Sequence, residues 1–139
     1  MAYSFHDAPT LVDSAATLKE ALKSQMLTVV LGHCKVEYEG RASSTLDWGN
    51  RLVIIKTDGS VLVHRPAGYE PVNWQPSGCI FQVETSDDEL KVRATRLQPK
   101  ETLRIVFSRV FHILTSSLSD QAEFALYVTE LDMKKAILA

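Results

Sequence analysis

Apolar and polar positions change their period along this chain. Between Thr10 and Gln25, Leu11, Ala15, Leu18 and Leu22 recur at helical spacing, and Lys19, Glu20 and Lys23 fall on other faces. Thr10 is the expected N-cap, with Asp13 competing for the role. From Met26 to Glu39 the period becomes two. Cys34, Val36 and Tyr38 alternate with Lys35, Glu37 and Glu39, as in a strand with one apolar face. Gly32 marks a candidate bulge in it. Ala42 to Leu46 reads as a short strand and Asp47-Trp48-Gly49-Asn50 as a turn cluster.

The apolar run Leu52 to Ile55 and its return at Val61 to Val63 flank Asp58-Gly59, a dipeptide suited to a two-residue hairpin loop. From His64 to Gly78 the chain is rich in proline, glycine and aromatic residues and reads as a loop. Cys79 to Glu84 and Leu90 to Leu97 read as strands around a Thr85 to Asp88 turn. Glu101 to Thr115 reads as a long strand. Its expected faces are Leu103, Ile105, Phe107, Phe111 and Ile113 on one side and Val106, Val110 and Leu114 on the other, so cover is expected on both sides. Phe124 to Val128 is a predicted last strand and Thr129 to Leu138 a predicted short helix; Met1 to Pro9 reads as a loose start.

Short strands between turn clusters imply a mainly β fold, an antiparallel β-sandwich or half-open barrel with an N-terminal helix and a short C-terminal helix. The 139 residues suit one domain. It divides into an extension and helix over 1–25, a β domain over 26–128 and a helix over 129–139. The net charge of −2 argues against general polyanion binding, so any nucleic-acid contact must use local patches. One such patch runs from Glu89 to Arg109, where six cations face two acids. Cys34 and Cys79 form no paired motif and read as reduced thiols. No leader or long apolar run is present, so an intracellular, cytoplasmic and membrane-free protein is expected.

Three segments carry a family resemblance: Cys34 to Arg41 (CKVEYEGR), the hairpin LVIIKTDGSVLVHRP, and above all Glu70 to Pro76 (EPVNWQP). With similarity running on to Thr129-Glu-Leu-Asp-Met-Lys, the chain from about Leu27 onward resembles the N-terminal domain of the NucS/EndoMS endonucleases. Members of that family cut DNA at mismatched base pairs and are homodimers. The resemblance implies a domain that dimerises and grips mismatched or single-stranded DNA. The metal-dependent centre, using Mg or Mn, is expected in a RecB-like C-terminal domain that the resemblance does not cover, so no cofactor is expected in this chain. The sequence ends where the family's linker is expected to begin. A sliding clamp is an expected partner of a full-length member only. The alternative is a free-standing homodimeric interaction module without nuclease activity.

The resemblance implies that Tyr38 and Trp74 receive bases pulled out of a duplex. Stacking on an aromatic ring is worth about 1–3 kcal/mol per base. Asn73 and Gln75 carry donors and acceptors suited to a base edge. Arg41 and Arg65 match positions that hold phosphate through a bidentate fork. Charge alone adds Lys91, Arg93 and Arg96 as a candidate backbone track. Each has a plainer reading. Trp74 and Tyr38 also suit a core, the arginines suit surface ion pairs, and the Lys91 to Arg96 group suits a solvated face. Asp87, Asp88, Glu89 and Lys91 have the outline of a nuclease motif, but all lie within five residues at a hairpin turn and should face solvent. The four histidines show no ligand spacing.

Overall fold

The structure, a computed structural model, describes residues 1–128. The predicted helix over 129–138 lies outside them. β1 (Tyr3–Asp7) and α1 (Leu11–Lys23) lead into β2 (Leu27–Glu39) and β3 (Ser43–Ile55). β4 (Val61–His64), β5 (Asn73–Gln75), β6 (Ile80–Thr85), β7 (Leu90–Leu97) and β8 (Lys100–Ser116) follow. All eight strands join one antiparallel sheet in the order β5-β4-β3-β2-β8-β7-β6, with β1 added to the far end of β8. The sheet curls into a half-barrel, as the half-open barrel reading expected.

The curl is visible in the core. Val53, Ile55, Val61 and Val63 from one arm share a single buried cluster with Leu90, Val92 and Ala94 from the other. α1 closes the space between the arms with Ala15 and Leu18, the latter fully buried. Thr10 is its N-cap and accepts a hydrogen bond from the Asp13 backbone N–H, which resolves the competition between the two.

The β3–β4 hairpin forms where Asp58-Gly59 indicates, but its loop is longer than two residues. Gly59 N–H bonds the Lys56 carbonyl, Lys56 N–H bonds Ser60, and only Gly59 is left-handed, with φ +85°. This is a turn closed by a glycine bulge, in which one positive φ suffices. The hairpin tip reaches the other arm, where Gly78 N–H donates to the Asp58 carbonyl at 3.0 Å.

Three bulges rephase the long strands, and they overturn several expectations. Asp47-Trp48-Gly49-Asn50 is no turn, because β3 runs unbroken through it. Asp47 and Trp48 together oppose the single residue Lys35, so the extra residue is absorbed as a bulge. The freed carbonyls are met from below. Arg51, only 6% exposed, donates one guanidinium nitrogen to the Cys34 carbonyl at 2.5 Å and to Asp47 at 2.6 Å. Burial pushes the Cys34 thiol up to about 11, against the opposing pull of Arg51.

Two further bulges sit between β2 and β8, at Ser108 and Phe111, beside the glycine expected to mark one. Each shifts the alternation by one residue. Val110 therefore faces the core with Phe107 and Ile113, while Phe111 leaves it and lies half-buried under Arg109. Gly32 is required here, since a Cβ would stand 2.7 Å from both the Arg109 carbonyl and the Phe107 ring.

The ends of the chain differ from expectation too. Tyr3 to Asp7 is strand β1, whose partner lies more than a hundred residues away and leaves no local signal. Phe124 to Val128 forms no strand. Its residues are exposed, Phe124 at 88%, and β1 already occupies the flank of β8 beyond β7. No described helix is long and apolar enough to cross a membrane.

Candidate nucleic-acid interface

Alternation along β2, β7 and β8 carries one residue from each strand to the open end of the inner face. On β2 the inward series Cys34, Val36 ends in Tyr38. On β7 the series Leu90, Val92, Ala94 leads to Arg96, and on β8 Leu103 and Ile105 lead back to Glu101. From the other arm, β5 pairs with β4 so that Asn73 and Gln75 share the inner face with Val63 and Val61. The segment expected to be loop is thus a short edge strand at Asn73–Gln75.

These residues line one pocket of about 370 Å³: Tyr38, Asn73, Trp74, Gln75, Arg96 and Glu101, with Val72 and Pro76. The volume lies at the lower end of small-molecule sites. Glu101 ties its floor together. One carboxylate oxygen accepts from the Tyr38 hydroxyl at 2.5 Å and the other from Arg96 at 3.0 Å. The Tyr38 hydroxyl is held above the usual tyrosine pKa, first by that bond, then by burial and the carboxylate charge, with Arg41 and Arg96 pulling the other way.

Gln75 is the unusual member. It is 2% exposed, and neither polar atom of its side-chain amide has a hydrogen-bond partner. Leaving a buried polar group unpaired costs about 1–3 kcal/mol. A group with its own donor and acceptor that reached the amide would offset that cost. Trp74 borders the same pocket but is 62% exposed. It also edges a second hollow of about 480 Å³, with Lys56, Leu62, Glu70 and Pro71.

The other residues singled out in the sequence lie elsewhere. Arg41 is exposed at the β2–β3 tip, close enough to act on the Tyr38 hydroxyl. Arg65 is exposed in the loop after β4, outside the pocket wall. Lys91 and Arg93 stand on the outer face of β7, opposite Arg96, so the three form no continuous track. Arg93 is engaged by Gln82 and Glu84, and neighbouring outer-face cations pair as Lys35–Glu37 and Arg104–Glu39. Asp87 and Asp88 are exposed on the β6–β7 turn.

Glu101 was not singled out by the sequence. A lone carboxylate at a strand start carries no motif, and its partner Tyr38 lies 63 residues away. The only available signal was its phase with Leu103 and Ile105. A second feature missed is Trp48, stacked on His33 at 5.7 Å with Lys35 over its ring.

Residues 24–123 match the model of the endonuclease NucS N-terminal PH-like domain. The chain belongs to the NucS family. The NucS endonuclease of Aeropyrum pernix is 36% identical over 130 residues, covering 94% of this chain and 50% of the relative. That of Methanocaldococcus jannaschii is 41% identical over 111 residues, covering 80% and 42%. The chain therefore spans about half the length of the NucS relatives it matches. A structure of EndoMS in complex with double-stranded DNA superposes with a TM-score of 0.87 at 32% identity, over 97% of this chain and 56% of that one. A repair endonuclease from Pyrococcus abyssi does so with a TM-score of 0.74 at 31% identity, over 99% and 57%. The family model begins after α1, whereas the solved NucS-type folds extend across nearly the whole chain.

Proposed function

We propose that this chain is the DNA-binding and dimerisation domain of a NucS-type endonuclease, and that its pocket takes a base displaced from mismatched or single-stranded DNA. The observation that carries this reading is the pocket of about 370 Å³ joining Tyr38, Asn73, Trp74, Gln75 and Arg96, with the Gln75 amide buried and unpartnered. A displaced base brings a flat face for the aromatic rings and an edge with donors and acceptors for Gln75 and Asn73. Extrusion costs a few kcal/mol and least at a mismatch, which supplies part of the selectivity. Arg41 and Arg65 are both exposed, and in this reading they hold phosphate outside the pocket. The likeness to an EndoMS bound to double-stranded DNA supports this reading.

Cleavage belongs to a nuclease domain with Mg or Mn, and the clamp contact to a full-length protein. Among the described residues no group of His, Cys, Asp and Glu side chains is placed to hold a metal ion. The domain's own work is to bind, extrude and hold.

Dimerisation is supported by the outer face of the sheet. One row of cross-strand neighbours runs Phe5, Leu114, Val29, Ile54, Leu62, Trp74 across six strands, and every member is apolar. None of the six is fully buried. An apolar row of this length facing water is the mark of an association surface. Ile54→Glu at its centre is expected to convert a dimer into a folded monomer in sedimentation equilibrium; an unchanged dimer would move the interface elsewhere.

Fluorescence-anisotropy titration with mismatched and perfect duplexes at two salt concentrations tests the DNA reading. Tighter binding of the mismatched duplex, weakening with salt, is expected. No binding at low salt would overturn the reading and leave the homodimeric interaction module.

A further inference from the structure

Glu101 has no base-stacking role of its own, yet it has two partners inside the pocket wall. It rises from the start of β8, on the inner face that continues through Leu103 and Ile105. Its carboxylate joins the Tyr38 hydroxyl from β2 to the Arg96 guanidinium from β7. The Arg96 and Glu101 side chains are 26% and 18% exposed, so this pair is less open to water than the ion pairs of the outer face. Gly40 keeps the site open from above: a Cβ there would stand 2.3 Å from the Tyr38 hydroxyl oxygen and 3.2 Å from the Glu101 side chain.

Two physical consequences follow. A phenol ring free to turn about its side-chain bonds is a poor stacking platform, and an anchored hydroxyl fixes its plane. A guanidinium with no carboxylate beside it is a phosphate site, since its fork matches phosphate as well as carboxylate. With Glu101 in place Arg96 is already paired, and the pocket interior is close to neutral.

Resting on the base-pocket reading above, we propose that Glu101 is a positioning and specificity-determining residue. It fixes the Tyr38 ring for stacking and occupies Arg96, so that the pocket selects a displaced base over backbone phosphate. Glu101→Gln separates the two duties, because the amide oxygen still accepts from Tyr38 while the negative charge is gone. Glu101→Ala removes both.

The experiment uses the whole chain and two single-stranded oligonucleotides that differ only in one base, present in the first and abasic in the second. Wild-type chain is expected to bind the base-containing strand about tenfold more tightly, a preference of the size that one stacked base supplies. In Glu101→Gln the preference shrinks, and the slope of log affinity against log salt steepens by about 0.7, the contribution of one more phosphate-pairing cation on a single strand. In Glu101→Ala the preference disappears. Adding Arg96→Gln to Glu101→Gln returns the salt slope to the wild-type value without restoring the preference. Ultraviolet titration referenced to Tyr38→Phe gives a readout without DNA: the Tyr38 phenol, held high by Glu101, ionises at lower pH in Glu101→Ala.

Wild-type preference with an unchanged preference and unchanged salt slope in Glu101→Gln would overturn this role for Glu101 alone. Absence of any base preference in the wild type would overturn the base pocket and this role with it. Thermal melting of each variant identifies any loss that reflects unfolding, in which case the Glu101→Gln comparison decides.

Discussion

Trp74→Ala is expected to weaken binding of mismatched or single-stranded DNA by about 1–3 kcal/mol, roughly five- to 150-fold. The tryptophan sits on the short edge strand β5, paired only with β4 and 62% exposed. Little packing is lost when it is truncated, so the melting temperature should stay near that of the parent chain. The loss should appear as a faster release of DNA, with the salt slope unchanged because no phosphate contact is removed. Sedimentation equilibrium belongs beside this measurement, since Trp74 also ends the apolar row on the outer face. Unchanged affinity would remove the stacking role assigned to this residue.

The second large effect is on stability. Arg51→Met is expected to cost about 3 kcal/mol or more, because two hydrogen bonds from a charged donor are each worth about 1.5–3 kcal/mol. Arg51 lies under the bulge where Asp47 and Trp48 oppose Lys35, and it satisfies the Cys34 and Asp47 carbonyls there. Its guanidinium also packs under Gly49, where a Cβ would come within 2.9 Å of it. Methionine fills part of the space and removes the guanidinium donor from the Cys34 carbonyl at a buried bond and from the Asp47 carbonyl at a part-buried one. Chemical denaturation checks this, and a change under about 1 kcal/mol would mean that water or a relaxed bulge replaces the guanidinium.

Arg51 also illustrates what the sequence leaves hidden. Locally, Asp47 to Asn50 has the composition of a turn, and nothing nearby says otherwise. The strand continues because the one extra residue of Asp47-Trp48 is absorbed by a bulge and an arginine further along pairs the spare carbonyls. That compensation is tertiary. The same holds for β1, whose five residues gain their strand partner from the far end of β8, and for Val110, which faces the core only because the bulge at Ser108 shifts the alternation after Phe107.

What was legible is what periodicity alone decides. β7 matches its predicted bounds, because Leu90, Val92 and Ala94 alternate cleanly with charged neighbours. α1 was legible from its apolar spacing and its cap. The site was legible in part for the same reason. Tyr38 falls in phase with Cys34 and Val36, and the Asn73-Trp74-Gln75 segment lies in the stretch on which the family resemblance chiefly rests. Arg96 was grouped with Lys91 and Arg93 by charge, when its phase with Ala94 places it inside. Glu101 required knowing that β2, β7 and β8 are adjacent, a fact no local window contains.

The central claim is that a displaced base enters the pocket between Tyr38 and Trp74, and photocrosslinking tests it most directly. The probe is a duplex carrying 5-iodouracil at the mismatched position, irradiated in complex with the chain, with the adduct located by mass spectrometry. An adduct on Trp74 or Tyr38, absent from a perfect duplex carrying the same iodinated base, is the result predicted here. An adduct confined to Trp48 or to the outer-face residues of β7 would contradict it.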